Sequence, residues 1–235
     1  MNASEREDLA LACRMLWLEG HEHFALGHVS SRQPDGTYLL KASGRGLGET
    51  RPGDVIVVDQ SGSTDEPARL HAEAPIHTEI YRRRPDVRAV VHTHHPAVAA
   101  FAASDASFEF VSQDSVYFAD RMAFFDSAEM ITDADSGEKL AGCLADGRAV
   151  ILRNHGLVTV GASVPEAVFL AISLARSIGT QERARNFGNV VAMNADEIAS
   201  LAKDFERSYQ RRVLGQWEYL RRRLAEQGRS AERDA

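Results

Sequence analysis

Cysteine is nearly missing from this chain. Its two cysteines, Cys13 and Cys143, lie far apart and in no C-x-x-C pair. That excludes a disulfide scaffold and fits a reduced, cytoplasmic setting. Long apolar runs are missing too. The longest stretches, such as Val168–Ala175, fall well short of the ~20 residues that cross a bilayer. The opening MNASEREDLA lacks the apolar core of a signal peptide. There is no excess of basic charge: 27 Lys and Arg face 34 Asp and Glu, for a net charge of −7. A dedicated nucleic-acid binder is usually basic, so neither nucleic acid nor membrane is an expected partner.

What is present is ordinary globular usage, with one exception. Of 235 residues, 44% are hydrophobic and 26% charged, enough for a core without staples. With no internal repeat or low-complexity linker, one domain over residues 1–235 is expected, with an Arg-rich helical tail from about 195. The exception is histidine: nine residues, several of them clustered.

Local signals divide the chain into elements. Ser4-Glu5-Arg6-Glu7 reads as a capping box opening a helix that stops at Gly20. Val29–Arg32, Tyr38–Lys41 and Asp54–Asp59 read as strands, with a glycine-rich loop at Ser43–Gly48 between the last two. A helix is expected over Pro75–Arg84, a strand over Val87–Thr93 and a helix over Pro96–Ala103. Ser112–Asp126 is ambiguous. A short helix over Gly137–Leu144 precedes two strands, Ala149–Leu152 and Leu157–Val160. Ser163-Val164-Pro165-Glu166 is a second capping box, opening a helix to about Arg185. Asn194-Ala195-Asp196-Glu197 opens the last helix, whose arginines at 211, 212, 221, 222 and 223 read as a solvated face.

The chemistry concentrates at Val90-Val91-His92-Thr93-His94-His95-Pro96. Side chains alternate along a strand, so His92 and His94 share a face, about 6.5–7 Å apart, while Thr93 and His95 point oppositely. Two such imidazoles can bind one metal ion. His155 is the best candidate for a third ligand, because it sits between two strands ahead of Gly156, where the backbone can bend tightly. Three protein ligands leave the open position that a catalytic metal needs. Glu73 lies just ahead of the helix begun by Pro75, where the helix field favours a carboxylate. It is available as a fourth ligand or as a proton-transferring group. His21, His23 and His95 receive no role.

The stretch Glu73-x-Pro75-x-His77-x-x-Ile80-Tyr81-x-x-Arg84-Pro85-Asp86-Val87-x-Ala89-Val90-Val91-His92-x-His94 resembles the class II aldolase/adducin superfamily. Gly27-His28-Val29-Ser30 matches its G-N-[ILV]-S segment, Lys41-Ala42-Ser43-Gly44 its T-P-[ST]-G loop, and Asn154-His155-Gly156 its N-H-G turn. These motifs cover roughly residues 10–190. The resemblance implies an α/β fold, a three-layer α/β/α sandwich around a mostly antiparallel sheet. It implies one divalent ion per subunit, Zn²⁺ or Mn²⁺, held by His92, His94 and His155, with Glu73 as acid/base. It also implies a homotetramer with active sites at subunit interfaces. The adducin branch is a metal-free interaction module; the intact ligand set here favours an enzyme.

The same alignment of motifs bears on the reaction. Sugar-phosphate aldolases of this family place two serines before the glutamate, where this chain has His71-Ala72. Their Thr-Pro becomes Lys41-Ala42, Arg45 follows Gly44, and the asparagine of the G-N-x-S segment is His28. Hydroxyls suited to phosphate are thus replaced by groups suited to an acidic small molecule. The pattern is similar to the decarboxylase branch acting on ortho-hydroxy aromatic acids, such as dihydroxyphthalates or hydroxypyridine dicarboxylates. A class II aldolase cleaving a hydroxy-carbonyl or a sugar phosphate, of fuculose-phosphate type, is the alternative. On this reading Glu73, His71 and Tyr117 are the catalytic candidates, Tyr117 by reaching a neighbouring subunit. Ser30, Ser43, Gly44 and Arg45 are the substrate-binding candidates, Arg45 because its planar fork suits a carboxylate.

Overall fold

Strand residues send alternate side chains into two apolar clusters, as a sheet covered on both faces requires. A computed structural model describes residues 3–233, and the side chains of 4–227. Its strands are β1 (His28–Arg32), β2 (Tyr38–Lys41), β3 (Val55–Val58), β4 (Ala89–Thr93), β5 (Met122–Phe125), β6 (Ala149–Leu152) and β7 (Gly156–Gly161). Its helices are α1 (Ala3–Leu18), α2 (Ala74–Arg83), α3 (Pro96–Ala102), α4 (Ala134–Leu144), α5 (Val164–Phe187) and α6 (Ala195–Arg233). Val29, Leu39, Val91, Ile151 and Leu157 join one cluster with residues of α1, α3, α5 and α6. Leu40, Ile56, Val90, Val150 and Val158 join the other with Ile76 and Ile80 of α2 and Leu140 and Leu144 of α4.

The strand order is β3-β2-β1-β4-β7-β6-β5. The expectation of a mostly antiparallel sheet is corrected here to a mixed sheet. β5 pairs parallel to β6, with Met122 opposite Ala149, because the chain crosses over through α4 between them. The other neighbours pair antiparallel. The ambiguous segment Ser112–Asp126 resolves into a 3-10 turn, Gln113–Phe118, and this edge strand.

Several ends follow their local chemistry. Gly20, at φ 84°, terminates α1, and the His21 amide bonds back to the Leu16 carbonyl. Ser4 lies inside α1 rather than at its cap, since the helix already includes Ala3. Ser163 caps α5 through the Glu166 amide, and Glu166 accepts from the Ala162 amide. At α6 the pair is reciprocal: the Asn194 amide donates to the Glu197 carboxylate and the Glu197 amide to Asn194 Oδ1. α4 starts three residues earlier than expected, at Ala134, because Asp133 and Ser136 cap it.

α6 is a continuous helix anchored by Phe205, Val213, Trp217 and Leu220, all buried. Arg211, Arg212, Arg221 and Arg222 are exposed, as a solvated face requires, while Arg212 also lies 4.1 Å over the Phe205 ring and half-buried Arg223 pairs with Glu19 at 2.7 Å. Among the described residues no helix is long and apolar enough to cross a membrane.

Register positions the site. His28 stands opposite His92. β7 lies on the other side of β4, with Leu157 opposite Thr93. The tight turn between β6 and β7 is therefore delivered to the end of β4, where His94 follows.

Candidate metal centre

Three histidines and one glutamate converge at that end of β4. The ligand atoms of Glu73, His92, His94 and His155 all lie within 4.8 Å of one another. The Nε2 atoms of His92 and His94 are 2.9 Å apart. Glu73 Oε2 is 3.6 Å from His92 Nε2 and 3.7 Å from His155 Nε2. Strand alternation accounts for the first pair. Thr93, on the opposite side, bonds instead to His21 Nδ1 at 2.8 Å, and the His21 ring packs against His95.

His155 reaches the cluster from the β6–β7 turn. Asn154, not Gly156, adopts the left-handed conformation there, at φ 56°. Gly156 serves close approach: a Cβ at that position would stand 2.4 Å from the Thr93 carbonyl oxygen and 2.9 Å from His94 Cδ2. Only glycine lets the turn approach β4 this closely.

Glu73 holds the N-cap position of α2, but its side chain makes no bond to its own helix. Oε1 accepts from the Ile131 amide at 3.3 Å, which leaves Oε2 facing the imidazoles. Close packing of α4 steadies this end of α2, since a Cβ on Gly137 would meet Pro75 O at 2.8 Å.

Electrostatics prepare Glu73, His94 and His155 as ligands. Burial pushes the Glu73 carboxyl up, but contact with His92 and the fields of His92 and His155 outweigh it and hold the group at about 2. Burial, then the neighbouring His92 and His155, push His94 down to about 3. Burial and His92 push His155 down to about 4. Near neutral pH the site therefore offers the Glu73 carboxylate and neutral His94 and His155 imidazoles. His92 Nδ1–H donates to the Leu157 carbonyl at 2.9 Å, which fixes the tautomer with Nε2 free for a metal. His94 Nδ1 lies 3.4 Å from His23 Nδ1. Three imidazoles and a carboxylate of this geometry fit a divalent cation.

The remaining sequence candidates are placed differently. His71 is buried beside the centre, its ring 4.4 Å from that of His28, which is in turn 4.9 Å from that of His92. Ser30 is engaged elsewhere, its hydroxyl bonded to His77 Nδ1 at 2.6 Å and to the Tyr81 hydroxyl at 2.7 Å. Ser43 and Gly44 sit on an exposed loop. Arg45 turns away from the ligands to Asp54 at 3.2 Å and Glu49 at 3.8 Å. Tyr117 is buried among Phe169, Phe205 and Tyr209, beside a cavity of about 520 Å³ against α6. Within one chain it does not join the ligand cluster.

Residues without an assigned role also emerge. His77 Nε2 bonds His28 Nδ1 at 2.6 Å, linking α2 to the strand beside the ligands. Lys41 is completely buried nearby. Its position in place of the family's threonine was visible in the sequence, but its burial was not.

Comparison with known proteins agrees with this geometry. Residues 7–181 match the family model for the class II aldolase and adducin N-terminal domain. The chain belongs to that family. It is 32% identical over 187 residues to a 3,4-dihydroxyphthalate decarboxylase of Arthrobacter keyseri, covering 74% of this chain and 75% of the other. Among solved structures, an aldolase II superfamily protein from Pseudomonas syringae superposes with a TM-score of 0.86 at 30% identity, covering 96% of this chain and 94% of that one. An L-fuculose 1-phosphate aldolase from Glaciozyma antarctica superposes at 0.82 with 25% identity, covering 95% and 91%. The resemblance to the decarboxylase branch is thus matched by relatives of that name.

Proposed function

We propose that this family member is a metal-dependent carbon–carbon lyase that decarboxylates an ortho-hydroxy aromatic acid. The observation that carries the reading is the convergence of three imidazoles and an ionised carboxylate within 4.8 Å, with His71, where sugar-phosphate aldolases have a serine, buried beside them. The decarboxylase relatives support the choice of reaction. His92, His94 and His155 would hold the ion, Zn²⁺ or Mn²⁺, with Glu73 as a further ligand or as the proton carrier. When bound, the ion acts as a Lewis acid that stabilises negative charge developing on an adjacent substrate oxygen.

The chain's own residues supply the rest. The Leu157 carbonyl orients His92, and the Ile131 amide holds one oxygen of Glu73 so that Oε2 is the atom able to take and return a proton. The active unit on this reading is one domain, cytoplasmic, in a homotetramer whose interfaces bring Tyr117 to a neighbouring centre.

An aldolase is the second reading, favoured by the close superposition on the fuculose-phosphate enzyme. One comparison separates them. The metal-loaded protein is incubated with 3,4-dihydroxyphthalate and, separately, with L-fuculose 1-phosphate. CO₂ release from the first without cleavage of the second is expected. Cleavage of the sugar phosphate with no CO₂ from any hydroxy-aromatic acid would replace the decarboxylase by the aldolase.

A further inference from the structure

A buried chain of hydrogen bonds runs from α2 through β1 and ends beside the cluster. Tyr81 and His77 come from α2, Ser30 and His28 from β1. The Tyr81 hydroxyl lies 2.7 Å from Ser30 Oγ, Ser30 Oγ 2.6 Å from His77 Nδ1, and His77 Nε2 2.6 Å from His28 Nδ1. All are buried, Tyr81 the least at 4% exposed. Among the described residues the Tyr81 and Ser30 hydroxyls have no other partner.

Pairing every proton gives this chain one direction. Tyr81 donates to Ser30, because any other arrangement strands its proton in the core, where an unpaired donor is costly. The Ser30 proton then goes to His77 Nδ1. An imidazole whose Nδ1 accepts carries its proton on Nε2, so His77 donates to His28 Nδ1. By the same rule His28 carries its proton on Nε2.

That last N–H has no acceptor in the protein: among the described residues nothing bonds His28 Nε2. The enclosed side-chain nitrogens and oxygens without a partner are His21 Nε2, His71 Nε2, Ser112 Oγ and the Tyr209 hydroxyl. His28 Nε2 is not one of them, so the 2% exposure of this residue includes that nitrogen. His28 pairs with His92 across β1 and β4, which puts both side chains on one face of the sheet, and their rings are 4.9 Å apart. A donor held in one tautomer therefore stands open beside a ring of the cluster.

We propose that His28 is a catalytic residue whose Nε2–H donates to the substrate oxygen on which negative charge develops during carbon–carbon cleavage, with His77, Ser30 and Tyr81 as the positioning residues that hold it as a donor. This rests on the lyase reading above, in its decarboxylase or its aldolase form, since both leave charge on an oxygen beside the cluster. The proton stays on His28 throughout. A donor fixed before the reaction begins makes a stronger bond as the charge grows, so it lowers the barrier more than it tightens substrate binding. Without the chain, His28 would present a proton or a lone pair by turns, and the lone pair would repel that same oxygen.

Two measurements test this. Nitrogen-15 spectra of the full chain, with and without Zn²⁺, report which ring nitrogen carries each proton. His28 and His77 are both expected with the proton on Nε2. In Ser30→Ala, which deletes the donor to His77, the Nδ1–H form of His28 should appear beside the Nε2–H form. Turnover of 3,4-dihydroxyphthalate, or of L-fuculose 1-phosphate if that is what the protein cleaves, supplies the second readout. His28→Phe should lower kcat about 10²- to 10³-fold, with KM within about threefold and metal content unchanged. His28→Gln, which keeps an N–H, should regain about tenfold or more. Should His28→Phe fail to fold, His28→Leu is read in the same way. A proton on His28 Nδ1 in wild type, an unchanged spectrum in Ser30→Ala, a donor-less variant that keeps its kcat, a loss confined to KM, or a His28→Gln no faster than His28→Phe overturns the proposal and leaves the lyase reading standing. Failure of wild type to turn over either compound removes the lyase reading, and this proposal with it.

Discussion

Gly156→Ala isolates the contact on which the candidate metal centre depends, without altering any of its four side chains. The added Cβ would lie 2.4 Å from the Thr93 carbonyl oxygen and 2.9 Å from His94 Cδ2. Ordinary van der Waals contact needs about 3.5 Å, so the turn and β4 must separate by about 1 Å. Neither side is a flexible side-chain tip: one obstacle is backbone and the other is the His94 ring, itself part of the cluster. His155, the preceding residue, moves with the turn, away from His92 and His94. Overpacking of this kind costs roughly 1–3 kcal/mol, which lowers Tm by roughly 2–12 °C in a chain of this size. A loss of order 10- to 100-fold in metal affinity is expected from the displaced imidazole. The assay is a metal titration of the chelated protein, paired with thermal melts with and without the ion. Wild-type metal affinity together with an unchanged Tm would refute the argument that close approach at Gly156 builds the site.

Other perturbations test other joints. Gly137→Ala, whose Cβ would meet Glu79 Cγ at 2.7 Å and Pro75 O at 2.8 Å, should cost roughly 1–3 kcal/mol in a denaturant melt; a neutral result would mean that α2 and α4 do not lock the Glu73 end. Ser163→Ala should remove about 1 kcal/mol by deleting the cap on the Glu166 amide, measured by the same melt. Arg45→Ala should change stability by less than about 0.5 kcal/mol and leave KM nearly unchanged, since the guanidinium faces Asp54 and Glu49; a large rise in KM would return Arg45 to the substrate. Glu73→Gln should lower kcat far more than it raises KM, because a proton-carrying group contributes in the transition state.

The clustering of His92, His94 and His155 was legible because its signals are local. Alternation along β4 places His92 and His94 together whatever the rest of the fold does, and an N-H-G turn can lie beside them. What was not legible depends on which strands become neighbours. Gly156 reads from sequence as a turn glycine; its steric role exists only because β7 pairs with β4. Arg45 beside a glycine loop looks like a substrate arginine; its pairing with Asp54 and Glu49 depends on the fold and was not legible. Lys41 ends a short strand that alternation alone would leave half-exposed; α1 and the segment around Ala25 bury it. The parallel pairing of β5 was hidden for the same reason, since Met122–Phe125 carries no alternating pattern. The solvated face of the C-terminal arginines was legible from charge, but the aromatic ring under Arg212 and the Glu19 carboxylate that meets Arg223 were not.

The central claim is that His92, His94 and His155 hold one divalent ion on which turnover depends. Its most direct test is elemental analysis of the purified protein alongside CO₂ release from 3,4-dihydroxyphthalate, before chelation, after chelation and after metal is restored. One ion per chain, loss of both ion and CO₂ release on chelation, and recovery of both on adding Zn²⁺ or Mn²⁺ are expected, with His92→Ala and His155→Ala neither binding the ion nor turning over. Full CO₂ release by the metal-free protein, or by either histidine variant, would contradict the account.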